Sequence, residues 1–171
     1  ILISGPTSLD INHNNIELIR VTSAQEMYDA VHNHYQSMDI TISAAAVADY
    51  RPKTVSEHKI KKKSDSDILE LKLERTKDIL KTLGELKGRQ FLVGFALETE
   101  NALENAKKKL KKKNLDAIIL NSLEDKGAGF GTATNKVTFI DKNLNVKAFD
   151  LKTKAEVASD IWQEIISQSN V

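Results

Sequence analysis

The sequence predicts an α/β fold, in which an open, mostly parallel sheet with Rossmann-like layering is flanked by helices. The first observation is a set of five short apolar runs, which are typical of parallel strands buried on both faces. They cover residues 1–4, 16–21, 39–44, 91–96 and 115–120. The second observation is that helix patterns separate most of these runs. Such alternation indicates right-handed crossovers between parallel strands.

Four helices are predicted from their start signals and apolar spacing. Ser23-Ala24-Gln25-Glu26 is a capping box and predicts a helix that ends near Tyr35. A second capping box, Thr153-Lys154-Ala155-Glu156, opens a helix over residues 155–166. Apolar residues at helical spacing predict the other two helices, over residues 77–86 and 101–112.

Two segments have strand character without an intervening helix and predict antiparallel hairpins. Residues 59–63 and 68–73 flank a polar turn, and residues 136–140 and 146–149 flank another. A two-stranded ribbon is marginally stable in water, so these hairpins need each other or a second subunit. We therefore expect a homodimer that uses the hairpin regions 59–75 and 136–149 as dimerisation and flap elements.

Composition limits the class of protein. The 171 residues, 40% of them hydrophobic, predict a single domain over residues 1–171, and the net charge of +1 offers no overall field for a polyanion. The absence of cysteine excludes disulfides, thiolate zinc sites and cysteine nucleophiles. No apolar run is long enough for a bilayer and no leader is seen, which predicts a cytoplasmic protein without a membrane partner. The four histidines show no metal-ligand spacing.

The stretch AAAVADYRP, residues 44–52, follows the third apolar run. Open α/β folds bind ligands beyond the carboxyl ends of their strands, and small side chains such as Ala44 and Ala45 let a ligand approach the backbone. The alternative is that the alanines pack against a helix. Asp49 is either a ligand contact or a turn and helix cap.

Two lysine clusters are candidate anion sites. Residues 59–63 read KIKKK, in which Lys59, Lys61 and Lys63 share one face of a strand; the alternative is a solvated edge strand. Residues 107–113 contain six lysines on a predicted helix, where Lys109 and Lys113 are one turn apart. This helix face either binds an anion or is simply solvated. Nucleic acid is not an expected partner, because aromatic residues make up only 5% of the chain.

Two further features have competing interpretations. Phe95 lies near the end of the strand LVGFA and is either a core residue or a cover for a planar base. Residues 127–131 are glycine-rich but lack the strand-to-helix context of a dinucleotide or Walker loop, which favours a surface loop. No catalytic triad can be assembled, so nucleotide activation of a substrate fits better than hydrolysis.

Six stretches in sequence order together resemble one family. They are AAAVADYRP followed by KIKK, TKDIL, VGFALET, AKKKLKKKNLDAIILN and GFGTATNKVTFI, and they span essentially the whole chain. The chain is similar to phosphopantothenate–cysteine ligase of coenzyme A biosynthesis, also called phosphopantothenoylcysteine synthetase. Members of that family are often fused to an FMN-dependent phosphopantothenoylcysteine decarboxylase.

The resemblance implies a two-step reaction with 4'-phosphopantothenate, cysteine and CTP, assisted by Mg²⁺, for which no protein ligands are assigned. The substrate carboxylate displaces pyrophosphate from CTP to form an acyl-cytidylate. The cysteine amine then displaces CMP and forms the amide.

The resemblance also implies site residues. Lys59 corresponds to the catalytic lysine, and the segment 63–67 would close over the site. The nucleotide contacts carried over by motif are Ala44, Ala45, Asp49, Lys59, Thr76, Lys77, Asp78, Ile79, Phe95, Lys109 and Lys113.

The chain also departs from the family pattern. The family usually has proline where this chain has Lys77, and Lys113 falls at the tail of its helix, away from the strand ends. The family's opening strand with its glycine- and serine-rich phosphate loop has no counterpart in these residues, so we expect weak catalysis from this chain alone.

Two other classes compete with the ligase. An NAD(P)-dependent Rossmann-fold oxidoreductase would also suit a strand followed by three alanines, but it needs a glycine fingerprint that is absent here. A nucleic-acid-binding module would use the lysines of residues 107–113.

Overall fold

A computed structural model describes residues 1–61, 69–122 and 132–169. The chain divides into two compact units. The first unit comprises Ile1–Val31 and Ala45–Asp78, and the second comprises His32–Ala44 and Ile79–Val171. The single domain over residues 1–171 stays a prediction.

The helices and strands follow the predicted order. They are β1 (Leu2–Ser4), β2 (Leu18–Arg20), α1 (Ala24–Tyr35), β3 (Ile40–Ser43), β4 (Tyr50–Pro52), β5 (Leu73–Arg75), α2 (Ile79–Leu86), β6 (Phe91–Glu98), α3 (Ala102–Lys112), β7 (Ala117–Ser122), β8 (Thr134–Asn135), β9 (Val137–Asp141), β10 (Val146–Ala148), β11 (Lys152–Thr153) and α4 (Lys154–Gln168). All five predicted strands and all four predicted helices are confirmed, with ends that differ by a few residues. The α/β fold class is therefore confirmed.

The second unit is built around a five-stranded sheet with the order β10-β9-β7-β6-β3. Strands β3, β6 and β7 are parallel, whereas β9 and β10 are antiparallel to their neighbours. The sheet is therefore mixed. A second, antiparallel pair in this unit joins β8 to β11.

Helices cover both faces of this sheet because its strands are apolar on both sides. On one face, Val157, Ile161 and Ile165 of α4 pack against alternate residues of β6, β7 and β9. On the other face, α2 and α3 bury Leu83, Ala106 and Leu110. This two-sided burial explains why the central strands lack polar alternation.

Helix α2 contains a glycine where it meets the end of α3. A Cβ built on Gly84 would lie 1.9 Å from the backbone carbonyl oxygen of Lys113, and Asn114 donates from Nδ2 to the Gly84 carbonyl at 2.9 Å. Only glycine leaves room for this contact.

The first unit contains two separate pairs of strands. Strands β1 and β2 are parallel, and their residues are exposed or half-buried. Strands β4 and β5 are antiparallel, with an ion pair between Arg51 and Glu74 at 2.8 Å. The prediction that the first two apolar runs are doubly buried strands is wrong, because these runs form a two-stranded sheet that leaves them half-exposed.

The predicted hairpins are partly corrected. Strand β5 pairs with Tyr50–Pro52, and residues 59–61, the described part of the predicted partner strand, form no strand. Residues 62–68, with the predicted turn and the closing segment 63–67, lie outside the described residues, as do residues 127–131. The second hairpin is confirmed as β9 and β10. Strand β9 is buried within this chain, because it pairs with β7 and packs under α4, whereas all three residues of β10 are exposed.

None of the helices that the structure describes combines the length and apolar character needed to cross a membrane.

Candidate active site

The first unit contains a cleft of about 410 Å³ at the carboxyl ends of its parallel strands. Three chain segments form its walls. The first is residues 4–7 at the end of β1, the second is residues 21–24 and Met27 at the start of α1, and the third is residues 45–48. The lining is mostly small or apolar, with hydroxyl groups from Ser4, Thr7, Thr22 and Ser23. A cleft of this kind suits a small organic ligand.

The α1 wall of the cleft is fixed by a capping box. The Glu26 carboxylate accepts hydrogen bonds from the Thr22 backbone at 2.7 Å and its hydroxyl at 2.8 Å, and Ser23 Oγ accepts from the Glu26 backbone at 3.2 Å. These bonds, the Thr22 backbone bond above all, hold the pKa of Glu26 below its ordinary value. The backbone N–H groups of Thr22 and Ser23, which immediately precede the helix, are therefore directed to Glu26 rather than to a ligand.

The alanine wall of the cleft is held in place by Thr76. Its hydroxyl donates to the Ala48 carbonyl at 2.7 Å, and its backbone N–H donates to the Asp49 carbonyl at 2.9 Å. Ala45 lines the cleft, so three predicted site residues, Ala45, Asp49 and Thr76, lie in one hydrogen-bonded region.

Lys77 is positioned by an aromatic ring. Its ammonium lies 4.5 Å from the centroid of the Tyr28 ring, a cation–π contact. Tyr28 follows the cleft residue Met27, and Thr76 bonds to the cleft residue Ala48. Lys77 thus links the segment after β5 to α1, and it is exposed.

Four other predicted site residues are not among those that line the cleft. They are Lys59 and Asp78 in the first unit, and Ala44 and Ile79 in the second. Lys59 is exposed, and Asp78 is exposed and engaged in contacts. Ala44 directly follows β3 and is exposed, whereas Ile79 is buried at the start of α2. A contact from Ile79 to a ligand would therefore come from its backbone.

Phe95 in the second unit is a partly buried residue that packs against the apolar cluster under α4. Glu98, three residues later, contacts α3 on the other face of the sheet. Both lie near the carboxyl end of β6. A ligand that touches Phe95 and also reaches α3 would have to cross the end of that strand.

Lys109 forms an ion pair with Glu98, the last residue of β6. The Lys109 side chain is 48% exposed, whereas that of Glu98 is 13% exposed. Asn105 also donates to Glu98 at 3.4 Å, so both carboxylate oxygens are engaged. Lys113 is instead the C-cap of α3, and its backbone packs on Gly84 at the far end of the helix.

Several residues of these two regions were not predicted as site residues. Residues 4–7 and 22–24 carry no charged side chain that would mark them in the sequence, and Tyr28 reads as an ordinary helix residue. Glu98 directly follows an apolar strand in the sequence, which is the one signal that could have identified it.

Within residues 1–61, 69–122 and 132–169, acidic and histidine side chains nowhere gather in groups of three that could hold a metal ion.

A protein-family model matches residues 1–168 and describes the C-terminal domain of the DNA/pantothenate metabolism flavoprotein. The chain belongs to this family. The similarity to phosphopantothenate–cysteine ligases inferred from the six motifs is thereby confirmed at the level of the family.

Curated relatives of the family are longer than the chain. The coenzyme A biosynthesis bifunctional protein CoaBC of Bacillus subtilis is 49% identical over 169 residues, which is 99% of this chain and 41% of the relative. A cysteine/cysteine sulfinic acid decarboxylase from an unknown prokaryotic organism is also 49% identical, over 97% of this chain and 46% of its own length. The chain thus spans less than half of these relatives.

Solved structures share the fold. The crystal structure of the C-terminal domain of a CoaBC protein has a TM-score of 0.77 and 43% identity, covering 96% of this chain and 71% of that one. A Cab2 mutant in complex with phosphopantothenate-cysteine has a TM-score of 0.67, covering 88% of this chain and 52% of that one. Its identity is 19%, so it is similar in fold alone.

Proposed function

We propose that this chain carries the ligase activity that joins 4'-phosphopantothenate to cysteine in coenzyme A biosynthesis, with CTP as the activating nucleotide. The observation that supports this most directly is the cleft at the carboxyl ends of β1 and β2. It is lined by the alanine stretch that the family motif assigns to the nucleotide. The identity of 49% to a bifunctional CoaBC protein supports the choice of reaction.

The cleft suits the nucleoside part of CTP better than its phosphates. Its described lining consists of small, apolar and hydroxyl side chains without lysine or arginine. Hydroxyl groups and backbone amides are suitable partners for a ribose and a base edge, whereas a triphosphate needs positive charge. Positive charge for a phosphate is available in this unit from Lys77, which is exposed and lies over the Tyr28 ring.

The reaction requires an activated carboxylate, since a free carboxylate is a poor acyl donor. The substrate carboxylate attacks the α-phosphorus of CTP, supplied as its Mg²⁺ complex, and pyrophosphate leaves. The cysteine amine then attacks the acyl carbon, loses a proton, and expels CMP. Mg²⁺ usually binds through phosphates and waters with one or two carboxylates, so a resident cage of three protein ligands is not required.

Lys59 has the role of an electrostatic stabiliser in this proposal. The tetrahedral intermediate carries negative charge on the former carbonyl oxygen and the departing phosphate. A fixed ammonium lowers the barrier most when it meets charge that develops in the transition state. The exposure of Lys59 in the free protein leaves it available to a substrate.

The nucleotide assignment is tested by calorimetry with CTP and ATP. We expect CTP to bind at least tenfold more tightly, because a base fixed by backbone groups in a small cleft is discriminated by its hydrogen-bonding edge. Equal affinities would remove the cytidine assignment. Tight binding of NADPH in place of CTP would favour the oxidoreductase, and salt-sensitive binding of an oligonucleotide would favour the nucleic-acid module.

Ligation is tested by mass spectrometry of the amide, with CMP and pyrophosphate measured separately. We expect one CMP and one pyrophosphate for each amide formed, with the Bacillus subtilis CoaBC protein as the positive control. Release of CDP and phosphate in place of CMP and pyrophosphate, or no amide at high protein concentration, would contradict the proposal.

We further propose that the active form is a cytoplasmic homodimer that works with the FMN-dependent decarboxylase named in the sequence resemblance. This is supported by relatives that are bifunctional proteins more than twice as long as this chain. The exposed leucines Leu69, Leu71 and Leu73 offer an apolar surface for the second subunit. Light scattering at micromolar concentration would give twice the monomer mass.

A further inference from the structure

We propose that Glu98 is a positioning residue that holds Lys109 in place for the phosphates of the nucleotide. This inference rests on the proposed function and assigns a role to a carboxylate that the family motifs leave without one. It concerns the second unit alone, where the two side chains form an ion pair.

Glu98 is itself held on two sides. One carboxylate oxygen accepts from the Lys109 ammonium, and the other accepts from Asn105 Nδ2 at 3.4 Å. Asn105 also donates to the Glu100 carbonyl at 3.0 Å, which ties the amide to the loop before α3. The side chain is only 13% exposed, so the carboxylate has few other conformations available.

The ion pair directs Lys109 toward the end of β6. Lys109 lies seven residues beyond the first residue of α3, or roughly 10 Å along the helix axis. A free lysine at that position would sample many rotamers, and most of them point into solvent. The bond to the last residue of β6 selects a rotamer that brings the ammonium back to the carboxyl edge of the sheet, where α/β folds bind ligands.

The two helix lysines that the motif assigns to the nucleotide, Lys109 and Lys113, differ in their distance from the end of β6. Lys113 is the C-cap residue, one turn and roughly 6 Å farther from the end of β6, beside Gly84. Lys109 therefore has the more direct role in contacting phosphate, because it lies nearer the ligand edge and pairs with a carboxylate at that edge.

Lys109 can keep Glu98 and bind an anion at the same time. An ammonium has three donors, of which the observed ion pair uses one. Its side chain is 48% exposed, so an anion can approach from the open side while the Glu98 carboxylate remains shielded. If Glu98 were instead a competitor of phosphate, its removal would tighten nucleotide binding.

The experiment measures the dissociation constant of CTP for five proteins. They are the wild type, Glu98→Ala, Glu98→Gln, Lys109→Met and the double variant Glu98→Ala/Lys109→Met. We expect Glu98→Ala and Lys109→Met each to weaken binding about tenfold, and the double variant to be no weaker than either, because the two residues act as one unit. Glu98→Gln should recover most of the affinity, since its amide oxygen can still accept from Lys109.

A matched control comes from the same unit. Glu164 of α4 is 20% exposed and pairs with the half-exposed Lys147 of β10. Glu164→Ala removes a similar ion pair and should leave the affinity for CTP unchanged. Melting temperatures of both alanine variants separate lost folding from lost positioning.

A second readout needs no nucleotide. Amine-selective acetylation followed by mass spectrometry should label Lys109 more slowly than the exposed Lys108 in the wild type. The two rates should become equal in Glu98→Ala. Equal rates in the wild type would overturn the positioning role.

The possible failures are distinguishable. A wild type that does not bind CTP overturns the proposed function and this inference with it. A wild type that binds CTP, together with a Glu98→Ala variant of unchanged or tighter affinity, overturns the role of Glu98 alone.

Discussion

The cleft of the first unit and the end of β6 in the second unit differ in the chemistry of their side chains. The cleft is walled by alanines and hydroxyl side chains, and hydrogen bonds from the Thr76 hydroxyl and N–H to backbone carbonyls fix its shape. The end of β6 is a charged cluster, in which a shielded carboxylate engages a lysine and an amide.

The difference indicates how each region would recognise a nucleotide. A cleft of small side chains selects by shape and by backbone hydrogen bonds, so it tolerates changes of charge but not of volume. A charged cluster selects phosphate through positive charge and depends on ionic strength. A substitution that adds volume in the first region should therefore weaken binding at any ionic strength. A substitution that removes charge in the second region should weaken it most at low ionic strength.

The largest effect is expected for Lys59→Gln, which separates binding from chemistry. Loss of the ammonium should lower the rate of amide formation by roughly 10²–10³-fold, because it removes a charge that acts in the transition state. The dissociation constant of CTP should change little. A single-turnover assay checks the rate, and a wild-type rate would remove Lys59 from its role, whereas a large loss of CTP affinity would show that charge governs the first region as well.

The next effect is expected for Ala45→Leu, which adds volume to the cleft. Insertion of three carbon atoms should weaken CTP binding by roughly tenfold or more, since an added side chain would occupy space that the ligand needs. The control is Ala155→Leu on the exposed first turn of α4. Calorimetry on both variants checks this, and unchanged affinity in Ala45→Leu would contradict the assignment of the cleft to the nucleoside.

A smaller effect is expected for Thr76→Val. The substitution keeps the shape and removes the hydrogen bond to the Ala48 carbonyl, at a cost of about 1 kcal/mol in the free energy of unfolding. CTP affinity should fall about threefold to fivefold as the alanine wall loosens. Thr54→Val, at an exposed position, is the control. Urea unfolding measures the stability and calorimetry measures the CTP affinity. A loss of stability without any change in affinity would contradict the role of Thr76 in holding the alanine wall for the nucleotide.

The smallest effect is expected for the two capping-box carboxylates, Glu26 and Glu156, whose contribution to thermal stability should depend on pH. Hydrogen bonds at the helix starts lower the pKa of Glu26 and of Glu156 from the ordinary value of 4.5. Each carboxylate therefore contributes stability above its unfolded pKa, and this contribution is lost as the pH falls through the lower, folded pKa. At pH 7, Glu26→Gln and Glu156→Gln should each lower the melting temperature by roughly 2–4 °C.

This difference from the wild type should shrink as the pH falls from 4.5 through the lower, folded pKa of each carboxyl group. CTP affinity at pH 7 should fall in Glu26→Gln, because Glu26 holds the cleft residues Thr22 and Ser23, and not in Glu156→Gln. Thermal unfolding at decreasing pH provides the measurement, and a difference in melting temperature that does not narrow with acid would contradict the lowered pKa values.

The secondary structure could be predicted because each element has its own local signal. The capping box Thr153–Glu156 places the start of α4 within one residue, and the apolar run over residues 91–96 places β6. Pairing is a different matter. Tyr50–Pro52 is a three-residue strand with a proline, so its sequence gives no sign that it pairs with Leu73–Arg75.

The candidate site shows the same division between local and distant information. Motifs predicted Ala45, Asp49 and Thr76, which the structure brings together. They could not predict that Tyr28 supports Lys77 or that Glu98 pairs with Lys109, because those contacts join residues 49 and 11 positions apart. Charge and ring contacts of this kind depend on the folded geometry of two elements.

Gly84 has a consequence for any attempt to engineer this protein. Replacing a glycine inside a helix by alanine is ordinarily a stabilising choice, worth about 1 kcal/mol in helix propensity. Here the missing methyl group is what lets two helices touch, since a Cβ would collide with a backbone oxygen at 1.9 Å. If position 84 is randomised and folded variants are selected, glycine should be recovered. Substitutions that raise the melting temperature should therefore be sought at other positions.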